Sequence, residues 1–334
     1  MGVRPRRTNL VLGGLLLLAV LTGLGANTIG VDWPLDLIAV HAAAGLAVLL
    51  VVPWKSAIVR RGLRRQRRSR WWSLALLVLV AITLLAGFAH ATGLVEDVGP
   101  LTVMQVHVGG AVGALVLLVV HFLAHPVRPR RTDLDRRAFL GGTALAAGAA
   151  LALTAWEGAL NLSSLPGGGR RFTGSVERGT GDPTAMPVVS WLNDRSPALD
   201  PDTWRLRLPG RDLDLAAVLA LPHQDIRAVL DCTGGWYAEQ TWSGVRLDQL
   251  ITAEPGMRSL LIRSATGYAL HLPLSDVDNL WLVTAVAGNP LSRGHGYPAR
   301  IVAPGRRGFW WVKWVVAIEQ SPRPWWLQSP FPLT

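Results

Sequence analysis

The chain has a single cysteine, Cys232, in 334 residues. One thiol cannot close an internal disulfide, so no covalent staple of that kind holds the chain. Cys232 stands in Asp231-Cys232-Thr233-Gly234-Gly235-Trp236. There it can be a small buried hydrophobe, a nucleophile or a ligand to a soft metal, and its surroundings must decide. Acidic residues are also scarce, 22 against 33 Lys and Arg, for a formal charge of +11. Such an excess raises the question of nucleic acid, but its location excludes that partner. Arg4, Arg6, Arg7, the run from Lys55 to Arg70 and the run from Arg128 to Arg137 supply 16 of the 33, and the second half is nearly neutral with 17 basic and 15 acidic residues. No basic and aromatic patch is left over for a phosphate backbone.

Lys and Arg are absent from the loops around Asp32 and Glu96-Asp97. The four long apolar runs that these loops interrupt are Leu10 to Ile29, Leu35 to Trp54, Trp71 to Leu94 and Leu101 to Leu123, each long enough to cross a bilayer as a helix. A mean hydropathy of +0.31 with 50% hydrophobic residues agrees with a chain partly in lipid. Basic and non-basic loops alternate, and the positive-inside rule then puts the N-terminus and both basic loops in the cytoplasm of a multi-pass cell-membrane protein. A fifth run, Ala138 to about Leu160, is built of Gly, Ala and Leu. Before it stands Asp135-Arg136-Arg137-Ala138-Phe139-Leu140, which resembles a twin-arginine export signal and would engage that export machinery; an ordinary basic flank is the alternative. Five crossings leave the C-terminal half extracytoplasmic under either reading.

The first four helices read as one hairpin used twice. Leu21-Thr22-Gly23-Leu24-Gly25-Ala26 resembles Leu85-Ala86-Gly87-Phe88-Ala89-His90, and Val40-His41 resembles Val106-His107. Superposing the copies pairs His41 with His107 at one depth, about two turns below the outer surface. Two facing histidines at one level suit a bis-imidazole haem b, with Ala42 to Gly45 and Gly109, Gly110 and Gly113 giving room for a macrocycle. A polar contact between helices is the alternative. His121 lies on nearly the same face as His107, but its repeat counterpart is Lys55, so one haem is expected rather than two. His90 suits a substitute ligand or a quinone pocket, and His125 an interfacial position.

After Pro166-Gly167-Gly168-Gly169 the chain reads as a β-rich α+β domain. Asp200 to Leu206 begins a strand, Ile226 to Asp231 is a strand ending at the cysteine, and Leu247 to Ile251 suits a short helix. The expected organisation is a four-helix transmembrane domain over residues 1–130, the twin-arginine-like motif and fifth helix over 131–160, a linker over 161–183, an oxidoreductase domain over 184–320 and a Trp/Pro-rich tail over 321–334.

Asp200-Pro201-Asp202-Thr203-Trp204-Arg205-Leu206, then Cys232, then Trp242-Ser243-Gly244-Val245-Arg246-Leu247, then Gly288-Asn289-Pro290-Leu291, His295-Gly296-Tyr297-Pro298-Ala299-Arg300 and Lys313-Trp314 resemble, in order and spacing, the sulfite oxidase family of molybdopterin enzymes. The resemblance covers about residues 184–320. It implies a molybdenum cofactor with the Cys232 thiolate on the metal, Gly234 beside it, and His295, Arg300 and Lys313 holding the pterin and its phosphate. Asn193 falls where the family often has a pterin-contacting histidine. Sulfite oxidases carry Asn-Arg-Arg soon after the cysteine, whereas Gly235-Trp236-Tyr237 follows here. An uncharged aromatic mouth of Trp236 and Tyr237 would suit a neutral small-molecule substrate, a sulfoxide or N-oxide, better than sulfite; both can equally be core residues. The expected function is oxygen-atom transfer outside the cytoplasm, with electrons exchanged with quinone through the membrane haem. A haem-free anchor serving a separate redox partner and a non-catalytic module of the same fold are the rivals.

Overall fold

The computed structural model describes residues 5–28, 36–63, 70–124, 126–127, 130, 133, 135–190 and 194–329. Along the main body of the chain, two compact units divide between Val176 and Glu177.

The first unit contains α1 (Pro5–Thr28), α2 (Leu37–Leu63), α3 (Arg70–Thr92), the short hairpin β1 (Asp97–Val98) and β2 (Leu101–Thr102), α4 (Val103–Ala124) and α5 (Arg136–Leu162). All five helices are long and apolar enough to cross a membrane. Their apolar residues run all round the helix, so Leu17, Leu21, Leu85, Val116 and Leu151 point outward, exposed. Only lipid or a partner makes such a surface tolerable.

Local signals set the helix ends. Leu101 and Thr102 pair with Val98 and Asp97, so α4 starts at Val103. There the Gln105 N–H donates to Thr102 Oγ1 at 3.1 Å and the Thr102 N–H to Gln105 Oε1 at 2.8 Å, a reciprocal cap. At α5, Asp135 accepts from the Ala138 N–H at 2.8 Å, which puts Arg136 and Arg137 in the first turn. α2 continues through Pro53 to Leu63, so the basic run expected as a loop is helical at its start. Lys and Arg are good helix formers, and nothing requires a helix to stop where its apolar run ends.

Small residues bring the helices together. A Cβ at Gly110 would lie 2.6 Å from Thr83 Oγ1, and one at Gly113 3.2 Å from Leu79. These two glycines, expected to make room for a macrocycle, instead seat α4 on α3. Within the segment expected as a linker, Pro166–Gly169 forms a turn of 3-10 helix, and a Cβ at Gly167 would stand 1.9 Å from Ala91 O. Arg170 donates to that same carbonyl and pairs with Glu157 at 2.6 Å.

The second unit begins at the end of β3 (Val176–Glu177) and runs β4 (Arg205–Leu208), β5 (Arg211–Asp214), α6 (Leu215–Leu219), β6 (Gln224–Cys232), β7 (Trp236–Arg246), β8 (Ser259–Ser264), β9 (Ala269–Pro273), β10 (Trp281–Val286), β11 (Asn289–Pro290), β12 (Arg300–Val302) and β13 (Val315–Ser321). One sheet has the order β5-β4-β13-β8-β9, with β4 and β13 parallel. In the other, β6 pairs with β7, β7 with β10, and β10 with both β11 and β12. The β4 strand starts at Arg205 because Asp200 to Thr203 form a turn, closed by the Trp204 N–H on Asp200 O at 2.9 Å. Leu247–Gln249 is a single turn of 3-10 helix. Inward positions alternate along β7 through Trp236, Ala238, Gln240 and Trp242, the period that a strand with one buried face requires. Leu206, Leu260, Ile262, Leu282, Ile301 and Ile318 complete the core with Trp242 and Trp311.

Candidate functional site

Cys232 is the last residue of β6 and pairs with Trp236, the first of β7, so it stands at the tip of a hairpin. The turn closes through the Gly235 N–H on Cys232 O at 3.0 Å, and Gly235 takes a φ of +90°, which a glycine adopts without strain. The Gly234 N–H donates to Cys232 Sγ at 3.3 Å. A second segment backs the tip. Asp231 bridges to Arg307 and ion-pairs with it, Arg307 Nη2 donates to Cys232 O at 3.2 Å, and a Cβ at Gly308 would lie 3.0 Å from Cys232 Cα.

The sulfur opens onto a cavity whose lining includes Thr233, Asp194, Ser264, Tyr268 and Lys313. Burial pushes the thiol up, while the Gly234 N–H, Arg307 and Lys313 pull it down. Lys313 donates to Val189 O at 2.9 Å and Gly294 O at 2.7 Å; burial, then Arg300, lowers it to about 7. Arg300 is 1% exposed, lies over Trp242 and Trp311, and donates to His295 O and Trp311 O; burial lowers it to about 10. Its Nε has no hydrogen-bond partner among the described residues. His295 lies behind Lys313, between Met186 O at 3.1 Å and Ser292 Oγ at 2.8 Å. Arg300 is a buried cation without an acidic partner among the described residues and Lys313 is half-buried beside the thiol, so an anion entering the cavity would offset desolvation that both pay.

Cys232 and Lys313 thus line the cavity, Gly234 reaches the cysteine sulfur through its N–H, and His295 and Arg300 are buried outside the lining. Asn193 lies outside the described residues. Trp236 is core, with a buried Nε1 that has no hydrogen-bond partner among the described residues, so the core alternative holds for it. Tyr237 is half-buried opposite Asp231 in register. The aromatic rings lining the cavity are those of Tyr268, Phe309, Trp311 and Trp314. The sequence reading missed these, together with Asp194 and Arg307. The pair Arg306-Arg307 before Gly308-Phe309-Trp310-Trp311 was the available signal, since two arginines beside an apolar run need buried partners. Among the described residues no group of three or more His, Cys, Asp or Glu converges. A metal at Cys232 would therefore bring its other ligands with it. A soft thiol ringed by cations fits a metal carried on an anionic organic ligand.

In the first unit His41 and His107 face each other, ring centroids 5.8 Å apart and planes at 78°. His41 Nδ1 donates to Ala19 O and His107 Nδ1 to Thr83 O, each at 2.8 Å. A carbonyl only accepts, so both rings carry a proton on Nδ1, and in the neutral imidazole Nε2 is then the acceptor nitrogen. Gly23 and Gly87 lie against the rings, where a Cβ would come within 3.0 Å of His41 and His107 respectively. His90 Nε2 is hydrogen-bonded to Gly174 O at 3.1 Å. His121 is in the last turn of α4, and His125 lies outside the described residues.

Residues 193–326 match the family model described as the oxidoreductase molybdopterin binding domain. Mitochondrial sulfite oxidase of Homo sapiens is 27% identical over 167 residues, 38% of this chain and 30% of that protein. The Drosophila melanogaster enzyme is 26% identical over 171 residues, 39% of this chain and 30% of that one. The chain thus spans about 30% of the length of these sulfite oxidases. The uncharacterized oxidoreductase YuiH of Bacillus subtilis is 27% identical over 148 residues, 41% of this chain and 74% of that protein. Among solved structures, the sulfane dehydrogenase SoxCD of Paracoccus pantotrophus is 24% identical with a TM-score of 0.37, over 38% of this chain and 40% of that one.

Proposed function

We propose, from the premise that the C-terminal part of this chain is a molybdopterin-binding oxidoreductase domain of the sulfite oxidase type, that the protein is a membrane-anchored oxygen-atom-transfer enzyme working on the extracytoplasmic side. The observation that carries this reading is Cys232 Sγ at the mouth of a cavity backed by Lys313, Arg300 and Arg307. Cys232 would hold molybdenum, and Lys313 with its neighbours would meet the charge of the pterin. When bound, that group supplies two-electron oxygen-atom transfer coupled to single-electron steps.

The residues of the chain do the rest. The Gly234 N–H and Arg307 stabilise negative charge on the sulfur. Tyr268 and the tryptophans keep the cavity dry, which strengthens each of these interactions. Gly235-Trp236-Tyr237 brings no arginine to the substrate side of the hairpin. A neutral acceptor, a sulfoxide or N-oxide, suits that side better than sulfite.

For the five apolar helices the reading is a multi-pass cell-membrane anchor with a cytoplasmic N-terminus, by the alternation of basic loops. Arg136-Arg137 at the start of α5 would serve as the twin-arginine signal. His41 and His107 would hold one haem b, the electron link to quinone. The two rings, with centroids 5.8 Å apart, are the pair that would hold its iron. The Nδ1–H bonds to carbonyls are the outer-shell support that ligating histidines ordinarily have.

The test is anaerobic turnover of the purified full-length protein, with reduced and oxidised ubiquinone analogues. The substrates are dimethyl sulfoxide, methionine sulfoxide, trimethylamine N-oxide and sulfite. The expected result is quinol-dependent reduction of a sulfoxide or the N-oxide and reduced b-type absorption that His41→Ala and His107→Ala each abolish. Turnover of sulfite alone contradicts the substrate reading. Quinol-linked turnover unchanged in both histidine variants contradicts the haem and favours a separate redox partner.

A further inference from the structure

Arg306 and Arg307 are neighbours with opposite fates. Arg306 pairs with Asp276 near the surface and lies over Trp310 and Trp325. Arg307 is 2% exposed and turns inward to Asp231, itself 4% exposed. A buried ion pair of this kind is poorly explained by stability, because the desolvation of both charges offsets most of their attraction, and an apolar pair of similar volume does as well. Its cost points to something that the pair fixes.

What it fixes is the peptide that carries Cys232. The Cys232 carbonyl has two lone pairs, and both are occupied, one by the Gly235 N–H at 3.0 Å and the other by Arg307 Nη2 at 3.2 Å. The Gly235 bond belongs to the hairpin turn itself, whereas the Arg307 bond comes from 75 residues away. Gly308 closes the arrangement: a Cβ there would lie 3.0 Å from Cys232 Cα and 3.2 Å from Asp231 O, so the following backbone rests directly on the cysteine. The planar fork of a guanidinium reaches a carboxylate and a carbonyl together, which an ammonium cannot do in the same geometry.

We propose that Arg307, oriented by Asp231, is the positioning residue for Cys232: it pins the cysteine's carbonyl and so sets the direction in which the sulfur meets the metal. This rests on the molybdenum reading above. Beside its Coulombic pull on the thiolate, Arg307 acts through the Cys232 peptide, whose carbonyl it holds.

The test uses the full-length protein purified with its cofactor, as wild type, as Arg307→Lys and as Asp231→Asn/Arg307→Gln, which removes both charges together. Molybdenum content, melting temperature, the thiolate-to-metal charge-transfer absorption and the g-values of the Mo(V) resonance are measured. The expected result is molybdenum at the wild-type level in both variants, with a shifted absorption band and shifted g-values in each. The double variant should melt within a few degrees of wild type. If Arg307→Lys does not accumulate, the double variant carries the test. Molybdenum-loaded variants with the wild-type band and g-values overturn the role of Arg307 and leave the enzyme reading standing. A wild-type protein without molybdenum overturns both.

Discussion

At His295 the Met186 carbonyl requires a proton on Nε2, and in the neutral ring Nδ1 then accepts from the Ser292 hydroxyl. Burial, then Arg300 and Lys313, hold this histidine down to about 4, against an ordinary value near 6.5. Between these values the unfolded chain binds the proton and the folded chain does not. Stability from His295 is therefore fully present above about pH 6.5 and is lost as the pH falls toward 4. The expected outcome is a melting temperature of the detergent-solubilised protein that drops over this window, and His295→Gln should flatten the drop; an equal slope in both proteins would contradict it. The chemistry of such residues was only partly legible beforehand. Cys232 stood out because it is alone, and His295, Arg300 and Lys313 because their order and spacing resemble those of the sulfite oxidase family. Their burial, and the partnership of Asp231 with Arg307 across 76 positions, are products of tertiary packing that no local pattern announces.

Among elements, the twice-used hairpin is the clearest case of a pattern read correctly in kind and incompletely in detail. The repeat pairs His41 with His107, and the structure gives them matching surroundings: a carbonyl of the preceding helix on Nδ1, from Ala19 or Thr83, and a glycine four residues after that carbonyl under the ring. The seats are Gly23 and Gly87; Gly110 and Gly113 serve helix contact instead. Glycine is legible as a residue without a side chain, but which neighbour uses its bareness is a matter of helix rotation. A valine at either seat would drive its methyl groups into the imidazole and tilt the ring. Gly23→Val and Gly87→Val should each lose reduced b-type absorption in solubilised membranes while keeping wild-type protein levels. Retention of the full absorption in both variants would contradict the seat. Of the β strands, β6 was foreseen over Ile226 to Asp231, whereas β7 (Trp236–Arg246) was not. Nor was the start of β4, because the Asp200 turn looks extended until its hydrogen bond to Trp204 is known.

The whole molecule joins an apolar helical unit to a β-rich one, and the composition shift that separates them is visible along the chain because lipid-length helices and half-buried strands need different residues. The linker expected over residues 161–183 contains the boundary of the two units, and its Pro-Gly-Gly-Gly stretch is a packed turn. Here it packs against α3, where Gly167 leaves no room for a side chain beside Ala91. The central claim about the molecule is that its lone thiol is a metal ligand. X-ray absorption at the molybdenum edge, on purified wild-type protein and on Cys232→Ala, tests it most directly. The account predicts molybdenum in both proteins, with one sulfur neighbour fewer in the variant. Wild-type protein without molybdenum, or an unchanged sulfur shell in Cys232→Ala, would contradict it.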